Sequence, residues 1–197
     1  MNKFLIKYSF VLFLSSFSIT VTAQATRRIV KDFDFDLKKD TISINSDMRT
    51  LECSLSTQHY KKIISKTIRH LNFGNMLVAT KKGFEFWNDY GRSGFINVFE
   101  YNKTDKKMQL VGMKRTDYEL SGTYPGKNGG KSSVDLLTNK YSAQFNVVRN
   151  NKIVKLPLIT GMMVFPKTYL QTFSDDINFS YEEKCVAIYN SYQLKNK

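Results

Sequence analysis

Phe95-Ile96-Asn97-Val98-Phe99-Glu100-Tyr101, then Asn102-Lys103-Thr104-Asp105-Lys106, then Met108-Gln109-Leu110-Val111-Gly112-Met113-Lys114 is the stretch that decides the fold class. Two runs of branched and aromatic residues flank a short polar segment. That is the pattern of a β-hairpin, because such side chains pack well on a pleated, half-buried surface. Toward the N-terminus, Phe84-Glu85-Phe86-Trp87 is reached from an apolar run at 76–80 through the tight turn Lys81-Lys82-Gly83. Further back, 41–45 and 50–55 read as a hairpin around Ser46-Asp47-Met48-Arg49, and the β-branched residues of 61–69 favour a strand. Toward the C-terminus, 132–137 and 141–149 flank Thr138-Asn139-Lys140 as another hairpin. The segment 153–165 continues extended, with Pro157 and Pro166 marking an edge or exit. Helix signals are few and fall on 167–173 and 181–192. The expectation is a mainly β, antiparallel meander, either a curved sheet or a partial propeller-like arrangement, with few short helices.

The N-terminus has a different composition. Met1-Asn2-Lys3-Phe4-Leu5-Ile6-Lys7 precedes an apolar run broken only by small hydroxyl residues, and Val21-Thr22-Ala23 precedes Gln24. A basic start, an apolar centre and a small-residue cleavage site, in that order, predict a signal peptide over 1–23. The expected product is a single β domain over 24–197, exported to the periplasm or the outside medium, with no later membrane span. The chain carries a formal charge of +13, and removal of Lys3 and Lys7 lowers it by two. Such a balance suits an anionic envelope, an acidic protein or nucleic acid, and export argues against nucleic acid. Many of the cations fall in pairs at turn-like places, which also reads as ordinary solvated loop ends. Cys53 and Cys185 are the only two cysteines. In an oxidising compartment they read either as one disulfide or as two buried thiols.

One motif carries chemistry. Asp32-Phe33-Asp34-Phe35-Asp36-Leu37-Lys38-Lys39-Asp40 places acids at loop positions one, three, five and nine. Calcium takes six to eight hard oxygens, and alternate side chains of a tight loop supply them, with the backbone carbonyl of position seven, here Lys38, adding another. The candidate metal ligands are therefore Asp32, Asp34, Asp36, Lys38 and Asp40. A competing reading is an amphipathic strand, since Ile29, Phe33, Phe35 and Leu37 are all odd-numbered.

Asp-x-Asp-x-Asp-x-x-x-Asp leading into a strand resembles the calcium loop of integrin-type FG-GAP and VCBS repeats. Those loops usually hold Gly at position six, where the chain bends, often with φ above zero; here the residue is Leu37. The order of this loop, Phe84 to Trp87, 95–101, 108–113 with Thr116-Asp117-Tyr118, and Ser133 to Thr138 is also similar to small exported bacterial β proteins. Some of these resemble periplasmic immunity proteins that inhibit peptidoglycan-cleaving toxins. The resemblance implies a degenerate calcium loop on a protein-binding scaffold whose partner is a peptidoglycan hydrolase.

A catalytic set is missing from the sequence. His59 and His70 are the only histidines and have no zinc-type spacing. A Cys53 and His59 pair, or Glu85 with Glu100 as paired carboxylates for glycoside cleavage, are the enzyme readings, and a non-enzymatic role is preferred to both. For partner binding, Trp87, Tyr90 and Arg92 cluster around the polar loop 88–94, and these residue types are enriched at interface hot spots. The plain alternative is that Trp87 and Phe95 belong to the core. The expected function is an exported protein-binding module, an inhibitor or immunity protein against a cell-wall hydrolase. The alternatives are a basic surface or matrix protein binding anionic envelope or glycan, and a glycan hydrolase.

Overall fold

A computed structural model of the chain describes residues 26–89, 93–117, 129–149 and 152–195. The stretch 1–23, read from sequence as a leader, lies outside the described residues. The strands are β1 (Arg28–Lys31), β2 (Asp40–Asn45), β3 (Thr50–Ser54), β4 (Lys62–Ile64), β5 (Met76–Ala79), β6 (Gly83–Asp89), β7 (Ser93–Asn102), β8 (Lys107–Asp117), β9 (Gly130–Asp135), β10 (Lys140–Arg149), β11 (Lys152–Lys155) and β12 (Ile159–Met162). One α-helix, α1 (Asp176–Lys195), follows them among the described residues.

Every strand pair is antiparallel. Strands β1 to β4 form a four-stranded sheet in sequence order, and β5 to β11 form a larger meander that β12 joins by pairing with β10. The hairpins expected around residues 46–49, 102–106 and 138–140 all form. The expected mainly β, antiparallel meander is observed. A bulge between Val98 and Phe99 shifts the β7 and β8 register, and an extra residue in one strand bends it. Gly83 lies against that bulge, where an added Cβ would come 1.9 Å from the Phe99 carbonyl oxygen. Only a residue without a side chain fits there.

Alternation gives the large sheet two unlike faces. Phe84, Phe86, Phe95, Phe99, Met113, Val134, Tyr141 and Phe145 point to the core. The small sheet contributes Ile42, Leu51 and Cys53 to the same core, with Leu55 just after it. Aromatic rings join the layers: Phe84 stacks on Phe99 with ring centres 5.0 Å apart, while Phe33 and Phe173 meet them edge-on at 5.9 and 5.2 Å.

Helix α1 packs on the large sheet. Asn178 exchanges amide hydrogen bonds with Asn97 of β7, Glu182 pairs with Arg115 of β8 at 2.7 Å, and the Tyr181 hydroxyl donates to Ser132 of β9 at 2.8 Å. Tyr189 then packs its ring 5.2 Å from Phe145 of β10. From Asn178 to Tyr189 an α-helix rises about 16 Å, and the strand spacings from β7 to β10 add to about 14 Å. The axis therefore runs across the strands and not along them. Of the two helix candidates, 167–173 holds only a short 3-10 turn at Leu170–Thr172. The other, 181–192, is the middle of a helix of 20 residues that closes the core.

The cysteines are free and buried in different layers. Cys53 sits on β3, and Cys185 sits on α1 with Sγ 3.5 Å from Ser132 Oγ. Of the two readings of the cysteine pair, the structure corrects the disulfide and retains the buried thiols. Each thiol fills its own half of the core. No helix among the described residues is long and apolar enough to cross a membrane.

Candidate metal centre

The acidic segment leaves β1 at Asp32 and re-enters the sheet at Asp40, the first residue of β2. Between them the chain turns back on itself instead of running extended. Asp32 accepts the Phe35 N–H at 2.6 Å on one carboxylate oxygen and the Leu37 N–H at 3.0 Å on the other. These short-range bonds draw the backbone into the left-handed region, with φ of 66° at Phe35 and 70° at Leu37. The strand alternative is thereby overturned: Phe33 is buried, while Phe35 is 48% and Leu37 94% exposed, so the odd-numbered residues share no face. The sharp bend expected at position six is where it was expected, carried by a leucine.

Asp40 organises the interior of the bend. It is fully buried and accepts three backbone donors: Phe33 N–H at 2.7 Å, Asp34 N–H at 3.2 Å and Ser56 N–H at 2.7 Å. The 3-10 turn Ser56–Gln58 supplies further donors. Thr57 donates its hydroxyl to Asp34 Oδ2 at 2.5 Å, and Ser56 donates its hydroxyl to Asp36 Oδ2 at 2.6 Å. The Ser56 hydroxyl, then the Lys38 N–H, hold the Asp36 carboxyl below its ordinary value.

One carboxylate oxygen from each of Asp32, Asp34 and Asp40 lies within 4.8 Å of the others. Oxygens on a sphere of Ca–O bonds of about 2.4 Å can lie up to about 4.8 Å apart, so the three can share one ion. Asp34 is 7% exposed, and its Oδ1 is buried without a hydrogen-bond partner among the described residues. A buried carboxylate oxygen with no donor is costly, and an ion or an ordered water is what offsets that cost. The donor set is all hard oxygen and fits calcium. Asp36 and Lys38 follow on the same bend, outside this trio, with the Lys38 N–H given to Asp36 Oδ1 at 2.9 Å.

The other candidates scatter. Cys53 is buried behind the bend; burial first, then the charges of Asp40 and Asp34, push its thiol up to about 12. His59 is exposed at the C-terminal end of the 3-10 turn, and no bond joins it to Cys53 among the described residues. His70 is tied through Nδ1 to Asp175 at 2.9 Å, beside the start of α1. Glu85 and Glu100 lie on the outer face of neighbouring strands. The Glu85 carboxylate is occupied by Lys114 at 2.6 Å and by the Trp87 indole N–H at 2.8 Å. Trp87 is 37% exposed on that face, whereas Phe95 is core, so the core alternative holds for only one of the pair. Tyr90 and Arg92 lie outside the described residues.

Sequence reading missed the outer face on which Trp87 stands, because its members come from six different strands. It also missed the length of α1. The spacing Asn178, Tyr181, Cys185, Tyr189 after Ser174-Asp175-Asp176 was the available signal. No family model, curated protein or solved structure matches the chain.

Proposed function

We propose that this chain is an exported protein-binding module whose acidic bend takes calcium, and that its partner is a peptidoglycan hydrolase, which it inhibits. The buried, donorless Oδ1 of Asp34 between Asp32 and Asp40 carries the calcium part of this reading. With an ion on the three carboxylates, the bend is a rigid platform that is anchored to Ser56 and Thr57. It holds Phe35 and Leu37 outward, with the Lys103 ammonium 5.0 Å over the Phe35 ring. Large apolar side chains on a preorganised loop lose little entropy on docking, which favours tight protein contacts. The hydrolase as target, and export, rest on the leader-like N-terminus and on the resemblance to periplasmic immunity proteins.

Two measurements test the reading. Melting in millimolar calcium against chelator should raise Tm in the native chain and not in Asp34→Ala; a ligand at 100 times its Kd adds about 2.7 kcal/mol. Clearing of a peptidoglycan suspension by envelope hydrolases should slow when the protein is added. Leu37→Asp should abolish that inhibition while leaving the calcium shift in place. No slowing with any envelope hydrolase fraction would defeat the inhibitor assignment, and an unchanged Tm would defeat the calcium assignment.

A further inference from the structure

The outer face of the large sheet contains a built row. Through direct antiparallel pairing, Trp87 of β6 stands opposite Ile96 of β7, Ile96 opposite Lys114 of β8, and Lys114 opposite Ser133 of β9. Ser133 stands opposite Ser142 of β10, which stands opposite Thr160 of β12. The row therefore runs across the strands, about 19 Å from Trp87 to Ser142 at the usual strand spacing. A cleft of about 510 Å³ follows it, walled by Trp87 and Ile96 at one end and Leu158 at the other. Thr116, Ser133 and Ser142 place short hydroxyl side chains among its lining residues. The Ser133 and Ser142 hydroxyls lie 3.0 Å apart. A second cleft of about 320 Å³ continues past the other side of Trp87 and shares Ile96 and Thr116 with the first.

We propose that this trough binds a linear glycan bearing carboxylates. Three observations converge on that chemistry. Trp87 offers an exposed aromatic face, and the bond from its Nε1 to Glu85, itself held by Lys114, sets the ring's orientation before any ligand arrives. The C–H face of a pyranose carries partial positive charge and packs on the electron-rich face of such a ring. Hydroxyl groups on a flat floor match the hydroxyls of a sugar chain. Finally, the larger cleft is lined by Lys114 and Lys131 with no acidic side chain among its lining residues. Lys131 is exposed and makes no ion pair among the described residues. Lys114 is compensated by Glu85 at 2.6 Å, so on the diagonal position of the adjacent strand Lys131 supplies the unpaired positive charge over the floor. An extended acidic peptide would satisfy the charge but not the flat hydroxyl floor beside an aromatic platform.

Trp87 is the only tryptophan in the chain, so its fluorescence reports this site alone. The full-length mature protein is titrated with a galacturonate oligosaccharide, with a neutral glucan oligosaccharide of equal length, and with poly-glutamate of equal charge. The galacturonate should give a saturable emission change, at least ten-fold tighter than either of the others. Lys131→Glu, an exposed change that leaves packing untouched, should weaken galacturonate binding ten-fold or more. Lys61→Glu, exposed just before β4 of the other sheet, should leave it within two-fold. Absence of an emission change, equal binding of the neutral glucan, equal binding of poly-glutamate, or equal losses in the two charge reversals would each overturn the proposal.

Discussion

The acidic bend at 32–40 and the outer trough around Trp87 are opposites in construction. In the bend, nine consecutive residues and one neighbouring turn bring negative charge together in a buried place, and backbone N–H groups hold it. In the trough, residues from six strands bring positive charge and an aromatic ring together on an open face, and sheet register alone sets their spacing. The difference has an energetic consequence: the bend is part of the structural stability of the molecule, while the trough contributes almost nothing to it. A site of the first kind resists substitution; a site of the second kind is free to change chemistry without loss of the fold.

Substitutions can break or sharpen that contrast, beginning with the most damaging. Asp40→Ala leaves three buried N–H donors without an acceptor. It should cost about 4 kcal/mol of stability in urea unfolding, given the usual strength of bonds to a charged acceptor. Gly83→Ala drives a methyl group into the backbone of β7 and should cost about 3 kcal/mol by the same measurement. This tests whether the trough's scaffold depends on the Val98 and Phe99 bulge. Leu37→Gly relieves a left-handed backbone at an exposed side chain. A gain of about 1 kcal/mol is expected in the calcium-free protein, and loss of stability instead would show that Leu37 packs against something.

Acid separates the two regions through another route. Asp36 is held below its ordinary value first by Ser56, Glu52 first by Asn45 and then Lys62, and Asp105 first by Lys167 and then Tyr169. A carboxyl with a depressed folded value binds fewer protons in the native state than in the unfolded one. Its stabilising contribution is complete above the unfolded value of about 4 and is lost as pH falls through the lower, folded value. Melting temperature should therefore be level with respect to these groups from pH 7 to about 5 and decline below about 4. Asp36→Asn should flatten part of that decline, whereas Lys131→Glu should leave its shape unchanged. Smallest of all, Lys131→Ala should alter stability by less than about 0.5 kcal/mol, even though the neighbouring Lys131→Glu is expected to abolish most glycan binding.

Much of the architecture was legible because it is local. The hairpin arms on either side of 102–106 alternate branched and aromatic residues, and the turns carry polar residues and glycine, so β7 and β8 fall within a few residues of their expected limits. The acidic bend was legible for a related reason: its aspartates lie within nine consecutive residues, although the Ser56 and Thr57 donors that hold them come from a turn farther along the chain. The competing strand reading failed because Asp32 bonds to the N–H groups of Phe35 and Leu37, a choice that period-2 patterning cannot reveal. Helix α1 was underread because its buried face mixes Asn, Tyr and Cys, which match polar and small partners on the sheet. An apolar stripe would have been easier to see.

By itself the sequence determined the β class, the hairpin order and the placing of four aspartates within one short bend, since each depends chiefly on residues near in the chain. Tertiary structure alone decided that Cys53 and Cys185 end in separate halves of the core, and that Lys114, Lys131 and two serines line one face of the sheet with Trp87. The physical reason is register. Which residues of distant strands stand side by side depends on a bulge, a glycine and a helix laid across the sheet, and no short segment carries that information.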